Sequence, residues 1–226
     1  MTPQQRLVLI LIPLAYLIGS IPFGLIVGLA KGIDPRKAGS GNIGATNVGR
    51  LLGGKYFALV FALDLLKGLL PTAIAAVLLH GTSLTRTDFV LWLSVGFAAI
   101  AGHMFSVFLK FKGGKGVATS AGVLLGVFPY FTYPGLIAIG TWVVLFKITR
   151  YVSVASIAGA CVFPVAYIVV SLLRHDDPFG PQLPLLIFAC LVAALIVYKH
   201  RGNIARLRAG TESRFVPKKN AQPSPE

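Results

Sequence analysis

Residues 7–30, 89–109, 151–173 and 178–198 contain no Asp, Glu, Lys or Arg, and residues 56–79 contain only Asp64 and Lys67. Crossing about 30 Å of hydrocarbon takes roughly 20 apolar residues in a helix, which satisfies its own backbone hydrogen bonds where no water can. Each run is therefore long enough to span a bilayer. Composition agrees: 12% of the chain is charged, against about 25% in an ordinary soluble domain.

A sixth run, residues 116–146, is too long for one upright helix. Its centre reads FPYFTYP, with Pro129 and Pro134 among aromatic residues suited to a membrane interface. One strongly tilted helix or two short ones would fit. Cytoplasmic loops concentrate Lys and Arg, and each added crossing moves everything downstream to the other side. With two short passes, every basic residue except Arg6, Lys67, Arg86 and Arg174 falls on one side; with a single pass the basic residues divide almost evenly. The expected fold is thus an all-α integral membrane protein with seven transmembrane helices. Its N-terminus lies outside, its C-terminus is cytoplasmic, and its polar loops share the cytoplasmic face.

The first run reads as an uncleaved helix rather than a signal peptide, because Arg6 is the only charge before it and no A-x-A-like site closes it. Cys161 and Cys190 fall inside expected spans without metal-ligand spacing, so they read as packing thiols. The net charge of +14 sits in short loops at one membrane face. Orientation and anionic lipids or phosphates account for it without nucleic acid.

Four polar segments converge on that face: KGIDPRKAGSGNIGATNVGR, GHMFSVFLKFKGGKGVATSAG, RYVSVAS and KHRGNIARLRAGTESR. Glycines admit an anion to backbone N–H groups, hydroxyl and amide side chains donate hydrogen bonds, and Lys or Arg supplies charge. The helix beginning after GGKG adds its N-terminal donors. Each segment alone also reads as a flexible loop or a helix cap; their convergence favours phosphate binding.

Nucleotide readings fail. Gly39, Gly41 and Gly44 have G-x-G-x-x-G spacing, but a charged loop precedes them instead of a strand, and Asp64, twenty residues after Gly44, lies in a hydrophobic run. That spacing is taken as coincidence. A P-loop is excluded because Gly116 follows Lys115. Asp64 and Lys67, three residues apart on one helix face, read either as a mutually neutralising pair or as props for the polar loops, with Lys67 reaching toward a phosphate. His103 and His200 are the candidates for proton transfer. His200 has Asn203 at i+3, and Ser153 has Ser156 at the same spacing. No G-x-S-x-G supports a serine hydrolase.

GSGNIGATNVGR, FALDLLKG, GHMFSVFLKFKGGKGVAT, YVSVASI and HRGNIARLRAGTESRF, in that order and spacing, resemble the successive motifs of the bacterial acyl-phosphate:glycerol-3-phosphate acyltransferases. The resemblance runs from the first helix to about Phe215 and implies one transmembrane domain over residues 1–215. Residues 216–226 are unmatched and read as a disordered cytoplasmic tail. Ser106 stands where many members carry proline, which bears on loop rigidity.

The resemblance implies a multi-pass enzyme of the bacterial inner membrane that begins phospholipid synthesis. It would move a fatty acyl group from acyl phosphate to the sn-1 hydroxyl of glycerol 3-phosphate, giving 1-acylglycerol 3-phosphate and phosphate. Lys115, His200 and Arg50 would be catalytic. Ser40, Asn42, Thr46, Asn47, Gly113, Gly114, Ser153, Ser156 and Asn203 would bind substrate, supported by Asp64, Lys67 and His103. No metal or cofactor is expected. The partners are the two small substrates, membrane lipid and the enzyme supplying acyl phosphate. The H-x-x-x-x-D pair of the other glycerolipid acyltransferases is absent: Thr85, Phe108, Gly180 and Ala205 stand five residues after the four histidines. A transporter for a phosphorylated solute would also want basic, glycine-rich loops, but no inverted repeat is evident.

Overall fold

A computed structural model describes residues 1–81 and 84–215, so the tail 216–226 and the expectation of its disorder lie outside the described residues. Among the described residues every regular element is helical: α1 (Pro3–Ser20), α2 (Phe23–Leu29), α3 (Ala45–Leu52), α4 (Gly54–Leu78), α5 (Arg86–Met104), α6 (Val117–Gly126), α7 (Thr132–Thr149), α8 (Val152–Leu173), α9 (Leu183–Lys199) and α10 (Arg201–Arg208). A short 3₁₀ turn, Val107–Leu109, follows α5.

Five segments are long and apolar enough to cross a membrane: Pro3–Leu29, Gly54–Leu78, Arg86–Leu109, Thr132–Thr149 and Val152–Leu173. Joining α9 to α10 across their 54° bend makes a sixth. The chain is a multi-pass membrane protein. The long run divides at Pro129 into α6 and α7, as two short passes require. However, α6 has only 10 residues, which reach about 15 Å, half the hydrocarbon depth. Residues 7–30 also do not form one unbroken helix: Ile21 and Pro22 separate α1 from α2. Pro22 has no N–H to continue the ladder.

That break leaves carbonyl groups at the end of α1 without helical donors. Side chains from the middle of α4 and from just beyond α5 donate to carbonyls at the break. Lys67 Nζ donates to Ile21 O at 2.9 Å, and Ser106 Oγ donates to Ser20 O at 2.6 Å. Proline, expected by resemblance at position 106, has no hydroxyl for this bond. Lys67 also pairs with Asp64 Oδ1 at 2.8 Å, and His103 Nδ1 lies 3.5 Å from the same oxygen. All three side chains are buried. Thus the expected neutralising pair forms, and Lys67 is engaged with Asp64 and Ile21.

Helix pairs α1–α5, α4–α6 and α7–α8 make the main packing contacts. Between α4 and α6 the backbones nearly touch: a Cβ on Gly68 would collide with Thr119 O, and one on Gly122 with Leu65 O. Small residues permit this approach in a bilayer, where association relies on van der Waals packing instead of water exclusion. The apolar core closes around Phe131, whose ring meets Phe163 at 5.0 Å and Tyr167 at 5.6 Å edge-on. Cys161 and Cys190 are exposed on α8 and α9, so the expectation that they are packing thiols is not met.

Lys67→Met strips the buried Asp64 carboxylate of its counter-charge and removes one of the two donors to Ile21 O, the other being Phe23 N–H at 3.1 Å. It is expected to cost about 3–5 kcal/mol, read as a lowered melting midpoint in detergent, with partial recovery in Asp64→Asn/Lys67→Met.

Candidate functional site

The loop between α2 and α3 is organised by a single amide. Asn47 Oδ1 accepts from Ser40 N–H at 2.9 Å, while Nδ2 donates to the carbonyls of Pro35, Ala38 and Asn42 at 2.9, 3.1 and 2.8 Å. Asn42 Oδ1 accepts from Gly44 N–H at 2.8 Å, which turns the chain into α3. Gly39 and Gly41 take φ of 60° and 70°, the left-handed region that side chains disfavour. The result brings Ser40, Asn42 and the first turn of α3 against one cavity.

The glycine loop after α5 is tied by its own backbone. Gly113 N–H donates to Met104 O at 3.2 Å, and Gly114 N–H donates to His103 O at 3.0 Å. Gly114 packs so closely on the His103 ring that a Cβ there would collide with Nε2. Lys115 then extends to Asn203 Oδ1 at 2.5 Å, and Gly116, at φ 82°, opens α6.

A cavity of about 110 Å³ collects Ser40, Asn42, Thr46, Asn47, Arg50, Lys115, Ser153, Ser156, His200 and Asn203, together with Asp64 and His103 from the expected supports. Gly113, Gly114 and Lys67 are not among its lining residues. The two glycine N–H groups are engaged with backbone and do not face an anion, contrary to expectation. Asn47 lines the cavity, but its amide is committed to the loop. Asp64 reaches the same cavity as the first loop from within α4, with no strand in between.

Glu212 is the residue that sequence reasoning missed. Its Oε1 accepts from Ser153 Oγ at 2.8 Å and Asn203 Nδ2 at 2.6 Å, and its Oε2 accepts from Arg206 Nε at 2.7 Å. It is the sole acid in the last polar segment, a signal that was available. The segment that carries it is fastened to residues around the cavity. Arg50 Nη2 donates to Ser213 O at 2.8 Å, Phe215 N–H donates to Arg150 O at 2.8 Å, and the Phe215 ring lies 5.4 Å from that of Phe57.

Electrostatically the cavity suits an anion. The N-termini of α3 and α6 both open on it, with Lys115 and Arg50 beside them. The buried Arg50 Nε has no hydrogen-bond partner among the described residues. Burial would raise the Glu212 carboxyl, but hydrogen bonds from Asn203, Ser153 and Arg206 outweigh it and hold the group below its ordinary range. Burial pushes Lys115 down to about 8, helped by the charges of Arg206 and Arg50 and opposed by Glu212. His200 Nδ1 lies 2.8 Å from Ile196 O; with the proton on Nδ1, Nε2 is left as the acceptor.

A second, apolar cleft of about 430 Å³ runs between α4, α6, α7, α8 and α9. Phe57, Phe61, Val117, Trp142 and Ser156 line both spaces. Charged cavity and greasy cleft therefore meet, an arrangement suited to a molecule with one polar and one lipid part.

The sequence profile described as glycerol-3-phosphate acyltransferase matches residues 9–210. A glycerol-3-phosphate acyltransferase of Trichlorobacter lovleyi is 47% identical over 201 residues, covering 89% of this chain and 94% of that protein. One from Aquifex aeolicus is 44% identical over 207 residues, covering 92% and 98%. The fold matches a crystal structure of PlsY (YgiH), an integral membrane glycerol 3-phosphate acyltransferase, in its glycerol 3-phosphate form. That match has a TM-score of 0.80 and 42% identity, over 92% of this chain and 96% of that one. The lysophosphatidic acid form of PlsY matches with a TM-score of 0.76 and 41% identity, over 92% and 95%. In class, the chain is a helical membrane transferase. It belongs to the glycerol-3-phosphate acyltransferase family.

A phosphate ester is dianionic above its second pKa of about 6, so the cavity's charge is set by Lys115 in the alkaline range. Affinity for such an ester is expected to be full between about pH 6 and 8 and to fall above that as Lys115 loses its proton. The loss approaches about tenfold per pH unit, measured as the KM for glycerol 3-phosphate.

Proposed function

We propose that the protein transfers a fatty acyl group from acyl phosphate to the sn-1 hydroxyl of glycerol 3-phosphate, releasing 1-acylglycerol 3-phosphate and phosphate. One observation carries the reading: an anion cavity holding Lys115, Arg50, His200 and Asn203 shares its wall with an apolar cleft. The PlsY structures with glycerol 3-phosphate and lysophosphatidic acid support it. Glycerol 3-phosphate belongs in water and the acyl chain in lipid, and each reaches the boundary from its own phase.

In this reading Ser40, Thr46, Arg50 and the first turn of α3 hold one phosphate. Asn42 and Asn47 shape that loop, and Lys115 and Asn203 close the site. Ser153 or Ser156 contacts substrate. Acyl phosphate is a mixed anhydride with a good leaving group, so catalysis needs alignment and charge stabilisation more than acid assistance. The hydroxyl attacks the carbonyl carbon directly; the C–O bond to phosphate breaks, and no acyl-enzyme forms. The proton passes to the substrate's own phosphate or to His200 Nε2. Asp64 and His103 brace the glycine loop from below.

The same reading places α6 and the α9–α10 segment as the sixth and seventh of seven passes, with the N-terminus outside and the cavity facing the cytoplasm of a bacterial inner membrane. The one-sided distribution of Lys and Arg supports it. The enzyme stands at the first step of phospholipid synthesis, next to an enzyme that supplies acyl phosphate.

Purified protein in vesicles is expected to release inorganic phosphate only when both substrates are present. Lys115→Ala is expected to lower kcat/KM about a hundred-fold or more with the fold intact; wild-type turnover in that variant would remove Lys115 from the site. A periplasm-dependent reporter fused at the C-terminus is expected to be inactive.

A further inference from the structure

Residues 105–112, FSVFLKFK, link α5 to the glycine loop and line neither the polar cavity nor the apolar cleft. Phe108 is 59% and Phe111 61% exposed, and Phe105 and Val107 are exposed beside them. Lys110 and Lys112 alternate with these side chains and are exposed as well. The proposed chemistry makes no use of them.

The loop is firmly built. Ser106 O accepts from Leu109 N–H at 3.1 Å and Phe111 N–H at 2.8 Å, and Tyr16 Oη donates to Phe105 O at 2.8 Å. Lys110 and Phe111 hold left-handed φ of 51° and 62°. Lys199 Nζ stands 4.7 Å over the Phe105 ring while donating to Met104 O at 2.8 Å. The apolar span Arg86–Leu109 runs directly into this loop, so its rings lie where hydrocarbon gives way to headgroups.

Phe side chains on an amphipathic surface bury into the boundary between headgroups and acyl chains, and neighbouring lysines meet lipid phosphates. We propose that residues 105–112 form a contact site for anionic phospholipid, with Phe108 and Phe111 set into the interface and Lys110 and Lys112 on the headgroups. Continuity with a membrane span favours lipid over an acidic soluble protein as the occupant.

The test uses the full chain in phosphatidylcholine vesicles carrying trace spin-labelled phosphatidylglycerol or spin-labelled phosphatidylcholine, and reads the motionally restricted fraction of each. Wild type is expected to restrict phosphatidylglycerol preferentially. Each lysine near an anionic surface is worth about fivefold, so Lys110→Gln/Lys112→Gln is expected to lower the preference about threefold or more at low salt. Lys110→Arg/Lys112→Arg is expected to keep it. Phe108→Ser/Phe111→Ser is expected to lower the restricted fraction of both lipids. All four side chains are exposed, so an unchanged melting midpoint verifies the fold. If either the glutamine pair or the serine pair matches wild type, the proposal is overturned, and an acidic protein becomes the occupant to seek.

Discussion

Hydrocarbon offers no hydrogen bonds, so every polar group carried into it must be answered by the chain itself. The structure depends on one such answer. Where α1 ends, Ser106 beyond α5 donates to Ser20 O, and Lys67 from α4 joins Phe23 N–H in donating to Ile21 O. Lys67 needs a counter-charge at that depth, which Asp64 provides at 2.8 Å. The His103 ring stands beside Asp64, with Nδ1 3.5 Å from Oδ1, and backs Gly114. A chain of contacts thus runs from a broken helix to the loop that aims Lys115.

The cavity stands at the end of that chain and is assembled from the four polar segments together with side chains of α4 and α7. Its flexibility is less than its glycine content suggests. Asn47 ties the first loop with four hydrogen bonds, and the second loop is tied by Gly113 and Gly114 to the end of α5. What remains free for an anion is the first turn of α3, the start of α6 and the side chains between them. Glu212 balances this positive surface: it orients Ser153 and Asn203 and anchors the segment that closes the site. A preorganised site of this kind loses little entropy when substrate arrives.

Much of this was legible in the residues. The charge-free runs located the spans, because helix length and bilayer thickness are set by geometry alone, and Pro129 divided the long run as its ring requires. The convergence of Ser40, Arg50, Lys115, Ser153, Ser156, His200 and Asn203 followed from placing their loops on one side. Local chemistry misled at Gly113 and Gly114, whose composition suits an anion but whose N–H groups are already bonded. At Lys67 the pairing with Asp64 was legible from their spacing, but the bond to a carbonyl 46 residues earlier in the chain was not.

By itself the sequence determined the solvent, the helical class and the family, because hydropathy, charge distribution and motif order are properties of the string. Tertiary structure decided which polar groups were free to act. Hydrogen-bonding groups are finite, and only the folded chain shows where each is engaged: Lys67 on Ile21, Asn47 on its own loop, and Glu212 with Ser153 and Asn203, while Lys115 and Asn203 meet in the cavity itself.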